Sequence, residues 1–299
     1  MRLNGRRTSS NISDRRGQSS GGGFNFGGGN GLKLGGGGLL GLLVAGAVIL
    51  LLGGNPLDLL QGGSGLQNYN MVTQDGNYTP TAHEEELAHF ASQILAGTED
   101  VWSQKFREMG RTYVPPKMVF YTGSVNSACG GATAAVGPFY CSGDQTIYID
   151  LSFFDQMERE MSAGGDFAFA YVIAHEVGHH VQYLLGTLQD AHSKMARMSE
   201  TEANKLSVRT ELQADFYAGV WAHGDNEMFG SLEEGDIEEG LNAASKIGDD
   251  YLQKQARGYA QPETFNHGRS DQRVRWLKRG AETGRISDGD TFSPAYNNL

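Results

Sequence analysis

Between Lys33 and Asp58 the chain runs for 24 residues without a charge, and that stretch divides the 299-residue sequence into parts that cannot share one kind of structure. Its centre is the run Leu39-Leu40-Gly41-Leu42-Leu43-Val44-Ala45-Gly46-Ala47-Val48-Ile49-Leu50-Leu51-Leu52. At about 1.5 Å per residue, roughly 20 residues span the ~30 Å hydrocarbon core of a bilayer. The stretch therefore reads as one transmembrane anchor over 35–57, although its densest apolar run is only 14 residues. A cleaved signal peptide fits less well, because no small-x-small cleavage site comes after it and the preceding basic segment is long. No cysteine stands nearby to carry a lipid.

Before the anchor, residues 1–34 hold Arg2, Arg6, Arg7, Arg15, Arg16 and Lys33 against the single acid Asp14. Of the 43 glycines, 20 fall in the first 65 residues, where backbone entropy is not offset by buried side chains. Residues 1–34 are expected to be a disordered basic tail. The positive-inside rule places that tail in the cytoplasm and everything after Asn55-Pro56 on the other side, periplasmic or extracellular.

Residues 58–80 read as a polar linker, and periodic apolar patterning begins near Ala82, so 81–299 is the folded domain. A net charge of −11, more negative still without the tail, gives no long-range attraction for nucleic acid, which is excluded as a partner. The spacing predicts a helix over Thr81–Met109, stopped by Pro115-Pro116. Strands come next at Lys117–Tyr121 and Thr146–Ile149, then helices at Ser152–Met161 and at about 166–186, 195–223, 235–257 and 269–280. The expected fold is a mostly helical α+β domain with a small sheet near its front. The only cysteines, Cys129 and Cys141, have 11 residues between them. If this half of the chain is exported, a disulfide closing that loop contributes about 3 kcal/mol in the chain-entropy model.

The chemistry is carried first by His175-Glu176-Val177-Gly178-His179, directly after the apolar helical run Phe167–Ala174. Two histidines four apart share one helix face and can grip one Zn²⁺ at roughly 2.0–2.1 Å, while Glu176 stands beside that face, able to reach a water without binding the metal. A catalytic zinc wants a third protein ligand. Glu211-Leu212-Gln213-Ala214-Asp215, on another expected helix, offers Glu211 as that ligand and Asp215 as acceptor for the second ring N–H of a zinc histidine. Apolar neighbours Leu212, Ala214, Phe216, Tyr217, Val220 and Trp221 argue against a solvated acidic face, because unpaired buried carboxylates are costly.

Spacing discriminates among other third ligands. A metzincin arrangement needs Gly at 182 and His at 185, where this chain has Gln182 and Leu185. Gly186-Thr187-Leu188-Gln189-Asp190 has the spacing of the aspartate ligand of aspzincins, which keeps Asp190 as a minor alternative, and His180 points off the zinc face. An intramembrane protease is excluded, since the 167–174 run is too short to span and the later helices are charged.

The segments HEVGHHVQ (175–182), GPFYC (137–141) with Asp144 and Tyr148-Ile149-Asp150, ELQAD with YAGVWA (211–222), and His267-Gly268-Arg269-Ser270-Asp271-Gln272-Arg273 together resemble the bacterial neutral zinc metallopeptidase family, the YpfJ-type proteins, with gluzincin-like HExxH and ExxxD motifs. The likeness runs from about 66 to 281, and the glycine-rich tail and single anchor are similar too. It implies a zincin fold and peptidase activity with one catalytic Zn²⁺. Carried over, His175, His179 and Glu211 are the ligands, Glu176 is the general base and Asp215 supports a ligand, the same five that the residues themselves indicate. His267 falls where a gluzincin histidine would stabilise the oxyanion, or else caps the helix after it. This chain has Phe216 where the family usually has Cys after LQAD, so any role of that cysteine is absent.

The expected function is a membrane-anchored zinc endopeptidase of the bacterial inner membrane acting on peptide or protein substrates, with substrate paired along the sheet edge, for which the Gln145–Asp150 strand is the candidate. The competing reading is a zinc-stabilised binding module without catalysis. The presence of Glu176 beside the ligands argues against it, because a purely structural zinc needs no adjacent base.

Overall fold

The computed structural model describes residues 1–18 and 78–299. Its architecture is α+β and mostly helical with a small sheet, as the periodicity indicates. The expected anchor at 35–57 lies outside the described residues, and among the described residues no helix is long and apolar enough to cross a membrane.

Helix α1 (Ala82–Glu108) starts at a capping box: the Thr81 hydroxyl accepts from the Glu84 N–H at 3.2 Å, and the Glu84 carboxylate accepts from the Thr81 N–H at 2.7 Å. The main sheet contains β1 (Ile12–Asp14), β2 (Lys117–Tyr121), β5 (Phe139–Cys141) and β6 (Thr146–Asp150), in the order β1-β2-β6-β5. Strands β3 (Ser124–Ser127) and β4 (Gly130–Thr133) form a separate hairpin. Alternation sorts the central strands between two cores: Met118, Phe120, Ile147 and Ile149 face the helices, while Val119, Tyr121 and Tyr148 pack under the hairpin. Cys129 and Cys141 form the disulfide that ties hairpin to sheet.

The helical layer comprises α2 (Ser152–Met161), α3 (Asp166–Leu185), α4 (Thr187–Met195), α5 (Glu200–Phe229), α6 (Asp236–Lys246), α7 (Asp249–Arg257) and α8 (Ser270–Thr283). Helices α5 and α8 cross so closely that a Cβ on Gly280 would fall 2.0 Å from the Phe216 carbonyl oxygen, and one on Gly219 2.2 Å from that of Leu277. Glycine at both positions is what lets the backbones meet.

Several expectations need correction. The helix expected at 195–223 is α5, starting after Ser199 and running on to a left-handed Gly230, with α4 inserted before it. Its last turns escape sequence reading because His223-Gly224-Asp225-Asn226 reads as a breaker. In the fold Gly224 packs on Val101 and buried Asp225 is bound by an arginine. The 235–257 helix is two, broken where Gly248 passes 2.4 Å from the Ser270 nitrogen, measured from a would-be Cβ. Strands β1, β3, β4 and β5 are not anticipated by the pattern, each being only three or four residues long.

The largest correction concerns residues 1–34, expected to be a disordered tail. Residues 1–18 are packed on the domain: β1 pairs in parallel with β2, Ile12 against Met118, and the Ser9 N–H donates to the Ser92 carbonyl at 3.0 Å. The physical reason is charge. Arg6 forms a two-pronged bond to Asp225 at 2.6 and 2.7 Å, Arg7 reaches Glu99 at 2.9 Å and Asp100 at 2.6 Å, and Arg16 reaches Glu85 at 2.8 Å. Composition alone undervalues a segment whose partners lie elsewhere in the chain.

Candidate metal centre

Phe167, Ala168, Ala170, Tyr171, Ile173 and Ala174 make α3 a buried helix, and its next turn carries His175 and His179 on one face. Opposite them lies α5. The two backbones approach at Gly178, where a Cβ would meet the Ala214 carbonyl oxygen at 2.8 Å. That contact brings Glu211 to the histidines: its Oε2 lies 3.1 Å from His175 Nε2 and its Oε1 3.5 Å from His179 Nε2. One donor atom from each of His175, His179 and Glu211 lies within 4.8 Å of the others, and all three residues are buried. Neighbouring ligand atoms of a tetrahedral zinc with ~2.0–2.1 Å bonds stand about 3.3 Å apart, so the two histidine nitrogens and one carboxylate fit that ion in spacing and in chemistry.

Each histidine is aimed by its other nitrogen. Ionised Asp215 only accepts, so its 2.8 Å bond to His175 places a proton on Nδ1 and leaves Nε2 as the metal-facing atom. The same carboxylate accepts from the Tyr171 hydroxyl at 2.6 Å and from Arg273 Nε and Nη2, both at 2.8 Å. His179 Nδ1 bonds the Gln182 amide oxygen at 3.0 Å. Gln182 in turn donates to the Thr210 carbonyl at 2.7 Å and to Gln213 at 3.1 Å, and Gln213 donates to the Gly289 carbonyl at 2.9 Å.

Burial disfavours the charge on Asp215, but Arg273 and His175 outweigh it and hold the carboxyl down at about 2. Burial likewise opposes a charged His175, and Asp215 and Glu211 overcome it, raising the imidazole to about 10. Glu211 is held well below its usual range by His179, His175 and His267 against the cost of burial. A divalent cation held between His175, His179 and Glu211 would compete with the His175 proton, so its affinity would depend on pH.

Glu176 stands beside the cluster. Its carboxyl is pushed up by burial, opposed by His179 and His175 and by the Tyr140 backbone N–H that donates to it. Tyr140 belongs to β5, the strand that ends the sheet, whereas the Gln145–Asp150 segment expected to form the edge is mostly β6, enclosed between β2 and β5. Among the described residues, the outermost strand beside the candidate base is therefore β5. His180 points to this edge, accepting from the Tyr140 hydroxyl at 2.9 Å and donating from Nε2 to the Val114 carbonyl at 2.7 Å, and burial pushes it down to about 4.

His267 reaches the site from the loop before α8. Its Nδ1 lies 3.1 Å from Asp249 Oδ1, while Asp249 Oδ2 accepts from the backbone N–H groups of Asn266, His267 and Gly268 at 2.8, 2.7 and 2.9 Å. The ring is buried and close enough to Glu211 to help depress its carboxyl. Asp190 is not brought in; it lies exposed on α4, paired with Lys194 at 2.6 Å. Sequence reasoning missed Arg273, Tyr171, Gln182, Gln213 and Asp249, which orient the groups that it found. Arg273 lay within the His267–Arg273 segment, but nothing local tied it to Asp215.

The profile of the family described as "Putative neutral zinc metallopeptidase" matches residues 1–292. The chain belongs to that family. It is 48% identical over 292 residues to "Uncharacterized protein YpfJ" of Escherichia coli (strain K12), covering 98% of this chain and 99% of the relative. It is 43% identical over 193 residues to "Uncharacterized protein Rv2575" of Mycobacterium tuberculosis (strain ATCC 25618 / H37Rv), covering 61% of this chain and 64% of that one. No solved structure matches the chain. Membership implies zinc and a peptide-hydrolysing family at the level of its description, and the match includes the N-terminal residues packed on the domain.

Proposed function

We propose that this chain is a zinc-dependent endopeptidase in which His175, His179 and Glu211 hold one Zn²⁺ and Glu176 is the general base. The observation that carries the reading is the convergence of those three donors with a buried, non-ligating carboxylate next to them. Zinc held there supplies Lewis acidity to a peptide carbonyl and to an attacking water.

The remaining steps belong to the protein's own groups. A peptide lying along β5 takes up the backbone pairing that β6 satisfies on the strand's other side. Glu176 accepts a proton from the attacking water as its oxygen bonds to the carbonyl carbon, and returns it to the amide nitrogen as the C–N bond breaks. Burial raises the Glu176 carboxyl above its usual range, the direction that favours its holding a proton between the two transfers. His267, held by Asp249 through Nδ1, donates toward the carbonyl oxygen as negative charge builds there, a role its hydrogen bond to Asp249 supports. The Cys129–Cys141 bond fits a domain that works in an oxidising compartment, periplasmic or extracellular, with residues 35–57 as its hold on the bacterial membrane.

Glu176→Gln is the test. Against a mixed peptide library the variant loses about 10²–10⁴-fold in rate while its zinc content, by mass spectrometry, stays at one per chain. A variant that still cleaves disproves the base assignment; an unmodified protein that binds zinc and cuts nothing favours the binding-module reading.

A further inference from the structure

The two ends of the undescribed stretch 19–77 come from one place on the surface. A Cβ on Gly17 would fall 2.3 Å from Tyr78 Cβ, so the chain leaves the domain and returns to it at the same point. The Tyr78 hydroxyl is held there by Glu84 at 2.7 Å, and Arg16 Nη1 donates to the Glu84 carbonyl at 3.2 Å. A segment that crosses a bilayer once holds the chain before it and the chain after it apart by the full membrane thickness. Residues 1–18 and 78–299 are not separated at all.

Two crossings would restore both ends to one side, but they need two apolar stretches of roughly 20 residues each. Lys33 to Asp58 encloses only 24 uncharged residues. The charge argument for a cytoplasmic tail also weakens, because four of its five arginines are paired within the fold. Arg2 pairs with Glu233, Arg6 with Asp225, Arg7 with Glu99 and Asp100, and Arg16 with Asp14 and Glu85. Moving the arm across a membrane would leave Asp225, with no exposed surface, as an unpaired buried carboxylate, and would strip β1 from the edge of β2.

We propose that residues 1–18 are a docked arm of the zinc domain and that arm and metal centre lie on the same side of any membrane. This inference does not depend on peptidase activity.

Single cysteines placed at exposed Thr8 (Thr8→Cys) and exposed Met198 (Met198→Cys) of the full chain report its topology through a membrane-impermeant maleimide, applied to spheroplasts and to inverted vesicles with the unmodified chain as blank. The two positions should label alike in each preparation; labelling of one from one side and of the other from the opposite side overturns the proposal. Docking is checked separately on the purified full chain. Arg6→Glu should lower the thermal midpoint by roughly 5 °C or more, with partial recovery in Arg6→Glu/Asp225→Arg. An unchanged midpoint for Arg6→Glu shows that the arm is not docked.

Discussion

Asp215 and Asp225 lie on the same helix, both with 0% exposure, and each is gripped by both prongs of an arginine from another part of the chain. Asp215 takes Arg273 and passes its remaining acceptor capacity to Tyr171 and His175, so its charge ends on an imidazole of the candidate metal centre. Asp225 takes Arg6, whose guanidinium also lies 4.0 Å from the Phe229 ring, so its charge ends on the N-terminal arm. Similar ion pairs thus do different work, one orienting a candidate ligand and the other joining distant segments. What decides the role is the third group that each carboxylate can reach.

The comparison breaks most visibly if Arg273 is removed. Arg273→Met should cost about 3–5 kcal/mol by removing the guanidinium that balances the buried Asp215 charge, and should weaken zinc binding by roughly 10–100-fold, measured by denaturation and by competition with a chelating dye. Arg6→Met should cost less, roughly 2–3 kcal/mol, because its side chain keeps 11% exposure, and zinc affinity should stay within about twofold. Equal loss of zinc affinity in the two variants would show that the pairs are not functionally separate.

Replacing both partners sharpens the contrast. Arg6→Leu/Asp225→Leu should return to within about 1 kcal/mol of the unmodified protein, since a buried ion pair exchanged for apolar volume is often neutral. The same exchange at Arg273 and Asp215 should recover stability but not zinc affinity.

Acid provides a milder test on chelated protein. Asp215 is held at about 2 against an ordinary 3.8, so its contribution is present above pH 4 and is lost as pH falls toward 2. The denaturation midpoint of Asp215→Asn should therefore converge on that of the unmodified protein over that window, and a constant gap would contradict the assignment.

The smallest effect belongs to an exposed pair, His83 with Asp155 at 2.8 Å. Asp155 raises His83, so its stabilisation is complete below about pH 6.5 and is lost as pH rises through the folded-state value. His83→Asn should shift the midpoint by less than about 1 °C at pH 6 and by nothing at pH 9.

The helices that carry the site were legible because their signals are local. His175 and His179, and Glu211 and Asp215, are each one helical turn apart, so any helix over those residues places each pair on one face. Ser152–Met161 likewise matched the expected element, since its periodicity needs no distant partner. The β5 edge was not legible: three residues cannot declare a strand, and which strand of a sheet is outermost depends on the order of pairing. The arm was misread for the same reason, because Arg6 and Arg16 look like solvated charge until Asp225 and Glu85 are set opposite them.

By itself the sequence determined the helical α+β character, the zinc-type donor set and the adjacent carboxylate, all of which rest on spacings within a few turns of chain. The tertiary structure alone decided that α3 and α5 meet at Gly178, that Arg273 and Tyr171 converge on Asp215, and that β1 and β5 are the outer strands of the main sheet among the described residues, with β5 beside Glu176. Those outcomes depend on which distant groups satisfy a buried charge or an unpaired backbone edge, and no local pattern specifies a partner that lies 58 or 219 residues away.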